Sequence, residues 1–328
     1  MSISDEFEFI KSIEPSTLFH RNKVVGIGDD AAIIGVDSKF EKVVCVDTMV
    51  EEIHFSAQTM EPFDIGYKAL AANISDVAAM GGIPLYYLVS ITIPTRWAKK
   101  DLVAIYDGMR ALGDQYKMDL IGGDTTSGSS LVLSVFVIGK VETGKRLLRS
   151  NARNGDIVFV SGSLGESAAG LDLLLKNVAI ENQEKWKQLV SRHKQPSPKV
   201  SLGRVLAGFE RVALNDVSDG LASELIEITE ASNVDIMINK DTIPIDPILM
   251  QYNPKNALTW ALTGGEDFEL VGTISPADWP FLQKQCKELE IVISAIGKVA
   301  DGDGKVFMYD EHGKVELKKE GFNHFQKE

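Results

Sequence analysis

Six times along this chain, acidic residues stand at the edge of an apolar run, often beside glycine. Gly28-Asp29-Asp30 lies between Val24-Val25 and Ala31 to Ile34, and Asp47 ends the β-branched run Val43 to Val46. Asp76 sits near the end of a helical pattern that begins at Pro62, and Gly122-Gly123-Asp124 follows Leu120-Ile121. Asp216-Val217-Ser218-Asp219-Gly220 follows Ala213-Leu214, and Gly264-Gly265-Glu266-Asp267 precedes Phe268. Glycines at such corners let a backbone approach a ligand closely, and loop ends are where binding groups concentrate.

Taken singly, each acid reads as a cap or turn residue; Asp219, just before Leu221, suits a helix N-cap. Taken together they restrict the fold. If several converge, each pair of like charges ~4 Å apart costs about 4 kcal/mol at an effective dielectric of ~20. Three or four such pairs rival the ~5–15 kcal/mol that holds a whole domain folded. A convergent cluster therefore needs cations. Carboxylates without Cys or His spacing suit hard ions, and magnesium combines a few carboxylates with substrate phosphates.

The formal net charge of −13 opposes a nucleic-acid partner, since phosphate backbones are held by clustered Lys and Arg. Metal ions rather than a basic surface would then draw phosphates in. Cys45 and Cys286, the two cysteines, stand far apart in no metal or redox spacing, which points to a reducing, cytoplasmic compartment. Asp5, Glu6 and Glu8 near the start argue against a signal peptide, and the apolar stretch from Leu131 to Gly139 is too short for a membrane helix.

A length of 328 residues fits about two domains of ~150 residues. Val43 to Val46 reads as a strand; Phe63, Tyr67, Leu70, Ile74 and Val77 predict a helix that stops at Gly81-Gly82 and Pro84. Strands are expected over Leu85 to Ile93 and Leu131 to Val141, with a helix over Asp101 to Tyr116. The polar passage from Glu142 to Asp156 reads as the boundary between an N-terminal domain, 1–145, and a C-terminal one, 146–328. Beyond it, strands are expected at Ile157 to Val160, Val234 to Ile238, Phe268 to Ile274 and Ile291 to Val299. Helices are expected from about Glu166, over Gly220 to Ala231 and over Trp279 to Leu289. Gln183 to Lys199, polar and carrying Pro196 and Pro198, reads as a surface excursion. Mixing without regular βαβ alternation indicates two α+β (mixed α/β) domains.

Three motif matches fail on context. Gly26-x-Gly28-x-x-Ala31 lacks the helix a dinucleotide fingerprint requires, because Ala31 to Val36 is extended in character. Gly139-x-x-x-x-Gly144-Lys145 has Arg146 where a P-loop needs Ser or Thr. Ser161-Gly162-Ser163-Leu164-Gly165 lacks the first glycine of a nucleophile elbow and reads as a strand-to-helix turn with capping serines. His20, His193 and His312 stand among polar neighbours and read as surface residues; His54 and His324, beside Phe55 and Phe325, read as packing residues.

The acidic corners nonetheless carry a resemblance. Gly-Asp-Asp-Ala-Ala (28–32), Asp47-Thr48-x-Val50-Glu51-x-x-His54-Phe55 and Asn73-x-x-Asp76-x-x-Ala79-Met80-Gly81-Gly82 form its first half. Gly122-Gly123-Asp124-Thr125-Thr126, Asp216-x-Ser218-Asp219-Gly220-Leu221, Gly264-Gly265-Glu266-Asp267-Phe268-Glu269-Leu270 and Gly321-Phe322-x-His324-Phe325 complete it. In this order they resemble the thiamine-monophosphate kinase family over nearly the whole chain. The resemblance implies an aminoimidazole ribonucleotide synthetase-like fold whose N-terminal domains pair as a homodimer around a joint β-barrel. It also implies ATP as co-substrate, thiamine monophosphate as acceptor and several Mg2+ ions.

By the same resemblance Asp30, Asp47, Asp76, Asp124, Asp216 and Asp219 bind metal, and Asp47, Asp124 and Asp216 are catalytic. Tyr106, Gly123, Arg149 and Ser218 contact ATP; His54, Glu266 and Phe322 contact the acceptor. Just before Asp47, where the family often has hydroxyl residues, this chain has Cys45 and Val46, which leaves only their backbone carbonyls for a metal. The implied reaction is direct transfer of a phosphoryl group to a phosphate. That acceptor is largely ionised near neutral pH (second pKa ~6), so no strong general base is required. Related activities on the same fold, selenophosphate synthesis and hydrogenase maturation, are expected to show a reactive N-terminal Cys or a Cys-bearing tail, which this sequence lacks. The alternative of another class is a non-catalytic sensor of Mg-ATP.

Overall fold

Eleven consecutive residues, Phe40–Val50, extend into the central strand of the first sheet (β3), because Val43, Cys45 and Met49 can all be buried on one face. The computed structural model describes residues 24–25, 30–35, 39–176 and 184–319. Val24–Val25 (β1) and Ala32–Gly35 (β2) pair antiparallel ahead of β3. Ile83–Ile93 (β4), Asp119–Ser127 (β5) and Val132–Glu142 (β6) complete a six-stranded sheet of order β1-β2-β3-β6-β4-β5.

Helix Pro62–Ala79 (α1) starts with proline in its first turn, where the missing N–H costs nothing, and ends before Gly81 at φ +70°. Its stripe of Ile65, Leu70, Ile74 and Val77 is wholly buried on the inner face of the sheet. Helix Lys99–Tyr116 (α2) crosses α1 where both helices carry glycine. A Cβ on Gly66 would stand 1.8 Å from Ile105 O, and one on Gly108 would stand 1.9 Å from Phe63 O. Only hydrogen side chains allow so close a crossing.

The outer face of this sheet is uncovered in the single chain. Val46, Tyr86 and Phe136 lie on it, all exposed. Every residue of β5 is exposed as well, and its parallel ladder to β4 uses one edge only. Gly123 (φ +156°) permits that ladder, since a Cβ there would meet Val89 O at 2.0 Å.

The second sheet has seven strands: Ile157–Ser161 (β7), Val212–Asp216 (β8), Asp235–Asn239 (β9), Leu270–Ile274 (β10), Ile293–Ala300 (β11), Val306–Asp310 (β12) and Gly313–Glu316 (β13). Their order is β13-β12-β9-β11-β7-β10-β8. Helices Glu166–Leu175 (α3), Glu184–Lys194 (α4), Val200–Leu206 (α5) and Leu221–Ser232 (α6) follow in the chain. Then come Pro247–Tyr252 (α7), Ala257–Thr263 (α8) and Trp279–Glu288 (α9). Two mixed α/β units therefore stand side by side, and Leu202 and Leu206 of α5 are buried with Ala79 at the end of α1. Among the described residues, no helix is long and apolar enough to cross a membrane.

Three expectations need correction. The stretch from Gln183 to Lys199 is not a bare surface excursion: it holds α4, whose Leu189 and His193 are buried. Asp47 does not end its strand but lies inside β3. Asp219 is not the side-chain cap of α6; Gly220 (φ +94°) occupies that position with no side-chain cap bond. The turn before α3 is likewise capped from afar, since Asp267 accepts from Gly165 N–H (2.6 Å) and Ser167 N–H (3.1 Å).

Candidate active site

Asp76 near the C-terminal end of α1 and Asp216 at the last position of β8 belong to different halves of the molecule. The Ser75 hydroxyl donates to Asp216 Oδ2 at 2.6 Å, which fixes the two element ends together. Asp30, just ahead of β2, completes the group: one carboxylate oxygen each from Asp30, Asp76 and Asp216 lies within 4.8 Å of the others. Asp47 borders them from β3. Its N–H donates to the Asn73 side chain at 3.1 Å, and its charge is felt at Asp76.

The electrostatics are adverse. Burial, then the charge of Asp30, pushes Asp47 up to about 6. Asp76 is raised well above the ordinary carboxylate value by burial and then by Asp47, Asp216 and Asp30. Asp216 is raised well above it too, by burial and then Asp30, with the Ser75 hydroxyl opposing. Asp30 is raised by burial although Arg149 opposes the shift. At ~5 Å, each fully ionised pair repels by about 3 kcal/mol at an effective dielectric of ~20. Among the described residues, buried Asp30 Oδ2 has no hydrogen-bond partner. An unpartnered buried acceptor among crowded carboxylates, with no thiolate or imidazole in the group, fits a hard divalent cation such as magnesium.

Arg149, in the short 3-10 turn Arg149–Asn151, is the cationic member. Nη2 donates to Asp30 Oδ1 at 2.7 Å, Nε to Asn215 Oδ1 at 3.0 Å, and Nη1 lies 3.1 Å from Glu227 Oε2. Burial alone would lower its pKa, yet Asp30, Glu227 and Glu224 together raise it. Glu224 in turn accepts from Asn215 Nδ2 (2.6 Å), Ser218 Oγ (3.3 Å) and Asp219 N–H (2.9 Å), so it shapes the Ser218-Asp219 corner. Sequence reading passed over Ser75, Asn215, Glu224 and Glu227. The signal for the two glutamates was their spacing on α6, directly after the acidic corner.

Not every expected residue joins this group in one chain. Register runs across the first sheet from Thr48 through Ser134 and Ser90 to Asp124. The Thr48 and Ser134 hydroxyls meet at 2.7 Å on the outer face. Asp124 shares that face, whereas Asp47 alternates onto the inner one, and three strand spacings separate their backbones by about 14 Å. Its expected convergence with Asp30, Asp47 and Asp76 is therefore corrected for the single chain: the pleat turns it away. Gly123 lies on the same edge strand, and Tyr106 lines a cavity of about 240 Å3 with Tyr87, Arg110 and Leu120 beneath that edge. The nucleotide-binding set thus falls into two groups, Arg149 and Ser218 beside the acids, Tyr106 and Gly123 at β5.

Val50 N–H donates to His54 Nδ1 at 3.0 Å, placing His54 on the turn after β3. Glu266 adopts φ +66° and its N–H donates to Ser218 O at 2.7 Å, which ties it to the acidic corner. Its carboxylate forms an ion pair with Lys68. Phe322 lies outside the described residues. Cys45 Sγ lies 3.3 Å from Asn73 O and also against the Asp76 carboxylate, whose charge, after burial, pushes the thiol well above its ordinary value, whereas Val46 faces outward.

Models of the AIR synthase related protein family match in two parts, the N-terminal domain at residues 28–141 and the C-terminal domain at 153–310. Thiamine-monophosphate kinase of Bacillus subtilis (strain 168) is 50% identical over 325 residues, covering 98% of this chain and 100% of that protein. The Escherichia coli (strain K12) thiamine-monophosphate kinase is 36% identical over 92% of both chains. Among solved structures, AaThiL complexed with AMPPCP and TMP superimposes with a TM-score of 0.85 at 32% identity, covering 99% of both chains. The hydrogenase maturation protein HypE in complex with ATP, 17% identical with a TM-score of 0.72, shares the fold. With paired acids at the seam of two AIR synthase-type domains and half of its residues identical to a relative over that relative's full length, the chain belongs to the thiamine-monophosphate kinase family.

Proposed function

We propose that this chain transfers the γ-phosphoryl group of ATP to the phosphate of thiamine monophosphate, giving thiamine diphosphate and ADP. The bond from the γ-phosphorus to the β–γ bridging oxygen breaks, and a bond to an acceptor phosphate oxygen forms. The observation that carries this reading is the partly buried group of Asp30, Asp76 and Asp216, to which, among the described residues, Arg149 is hydrogen-bonded. Such a pocket binds a polyphosphate only together with metal ions.

Asp30, Asp47, Asp76, Asp216 and Asp219 are the proposed holders of Mg2+. Bound magnesium would neutralise the phosphates of both substrates and screen their mutual repulsion. Arg149 supplies donors toward transferring phosphate, its guanidinium already aimed by Asn215 and Glu227. Ser218 borders the same corner and offers its hydroxyl. His54, Glu266 and Phe322 are assigned to the acceptor, Phe322 by stacking on its aromatic rings. The acceptor phosphate brings its own ionised oxygen, so the site needs no general base.

Asp124, Gly123 and Tyr106 are assigned to the nucleotide as part of a homodimer. The uncovered outer face with Val46, Tyr86 and Phe136, together with the open edge of β5, supports pairing with a second copy. In this arrangement the edge of one protomer completes the nucleotide site of its partner. The working division is an N-terminal domain over 1–145 for Mg-ATP and dimer formation and a C-terminal one over 146–328. The assigned compartment is the cytoplasm, where the two buried, unpaired cysteines remain thiols. Incubation with ATP, Mg2+ and thiamine monophosphate tests the proposal: thiamine diphosphate and ADP should form in equal amounts. ATP binding without either product would replace the kinase with a Mg-ATP sensor.

A further inference from the structure

Lys68 is a wholly buried lysine, among the largest buried side chains of the described residues. It lies in the middle of α1, within the first half, yet its ammonium reaches Glu266 of the second half. His193 of α4 closes the same group: its Nδ1 lies 3.4 Å from Lys68 Nζ, 3.6 Å from Glu266 Oε2 and 3.1 Å from Ser167 Oγ. Burial, then the charges of Lys68 and Lys194, holds the His193 pKa down at about 2, so the imidazole is neutral. Its Nδ1 is then an acceptor for Lys68 and Ser167, and among the described residues the buried Nε2–H has no acceptor.

Stability alone gives a poor reason for this arrangement. A buried ion pair is often no better than well-packed apolar residues of the same volume. What the pair does achieve is geometric. One oxygen of Glu266 is committed to Lys68, and its backbone N–H is committed to Ser218 O beside the acidic group. Among the described residues the other oxygen, Oε1, has no hydrogen-bond partner, and the side chain retains 32% of its exposure. Glu266 is thus held from behind and from its backbone, with one free acceptor facing out.

We infer that Lys68 is a positioning residue for acceptor recognition, fixing Glu266 so that Oε1 receives an N–H donor or cationic edge of the substrate's heteroaromatic ring. The inference rests on the proposed function above, which assigns Glu266 to thiamine monophosphate. Because α1 and the Glu266 loop come from different halves, the acceptor group forms only where the two halves meet.

The test is a double-mutant cycle read as KM for thiamine monophosphate and, separately, for ATP. Lys68→Met should raise the first by roughly tenfold and leave the second within about twofold, the scale of one lost charged hydrogen bond. In a Glu266→Gln background, Lys68→Met should change KM for thiamine monophosphate less than about twofold, because the group it orients is already disabled. A purely structural lysine would show the same effect in both backgrounds, and that result overturns the inference. An unmoved KM for thiamine monophosphate in Lys68→Met overturns it equally. If Lys68→Met does not fold, Lys68→Gln keeps one N–H donor for Glu266 and carries the same comparison. Wild-type protein that forms no thiamine diphosphate defeats the function itself; normal turnover with an unmoved KM defeats only the role of Lys68.

Discussion

Arg149 Nη2 donates to Asp30 Oδ1 at 2.7 Å, tying a guanidinium to the three-carboxylate group of Asp30, Asp76 and Asp216. Removing that cation leaves Asp30 and Glu227 buried and less compensated. Breaking such a pair from one side costs about 3–5 kcal/mol. Arg149→Ala should therefore lower the melting temperature, and Mg2+ should recover part of the loss. Its kcat should fall by roughly 10²–10³, the cost of losing one preorganised donor. Arg149→Lys should melt nearer to wild type yet stay slow, because one ammonium cannot serve Asp30, Asn215 and Glu227 at once. Melting curves with and without Mg2+, alongside kcat, check both; wild-type kcat in Arg149→Lys would refute the fork argument.

The acid group also sets a pH dependence. Asp47 rises to about 6 in the fold from an ordinary 3.8, so between those values the folded chain binds more protons than the unfolded one. For a carboxylate shifted upward, this contribution to stability is greatest below the unfolded value and is lost as pH climbs to the folded one. Without metal, the loss between about pH 4 and 6 is on the order of 3 kcal/mol. Comparing denaturant unfolding of wild type and Asp47→Asn in EDTA isolates the term. The wild type should lose stability relative to the variant across that window. Mg2+ should reverse the trend, since only the ionised group binds metal. A wild type that gains on Asp47→Asn in EDTA as pH rises would contradict the burial of Asp47.

How much of this was legible in the residues depends on what makes each element. The helix Pro62–Ala79 was, because its apolar spacing and its Gly81-Gly82 stop are local signals. Strand β5 was not: Asp119–Ser127 is polar, glycine-rich and wholly exposed, and only the β4 backbone beside it makes it a strand. His193 looked like a surface residue between Arg192 and Lys194, but α4 turns it inward beside α3, against Lys68 and Ser167. The acidic corners gave residue types and order but not facing. The pleat that puts Asp47 inside and Asp124 outside depends on register with β4 and β6, strands distant in sequence.

That separation makes the shared dimer site testable by complementation. Asp76→Ala and Asp124→Ala should each abolish turnover as homodimers. If each site takes Asp76 from one protomer and Asp124 from its partner, a mixed dimer carries one doubly damaged site and one intact site. Random mixing makes half of the dimers mixed, so co-expression should restore about a quarter of wild-type activity. If both residues serve from the same chain, every site in the mixture is damaged and no activity returns. Purified mixtures from tagged chains distinguish the two outcomes directly.

The crossing of α1 and α2 offers a control that leaves the chemistry alone. Gly66 and Gly108 each face a backbone carbonyl of the opposite helix at a distance no Cβ tolerates. Helix backbones cannot yield as the end of a flexible side chain can, so Gly66→Ala and Gly108→Ala should destabilise by at least about 1–3 kcal/mol, the usual cost of overpacking. Gly113, on the same helix as Gly108, has only ordinary contacts around its would-be Cβ, the nearest at 3.5 Å from the Tyr87 ring. Gly113→Ala should therefore gain the roughly 0.5–1 kcal/mol that alanine holds over glycine inside a helix. Chemical denaturation of the three variants should give opposite signs for the two classes, with KM for both substrates unchanged in Gly113→Ala. Destabilisation by Gly113→Ala equal to that of Gly108→Ala would refute the carbonyl-contact argument, because Gly113 faces no such contact and helix propensity alone favours its alanine.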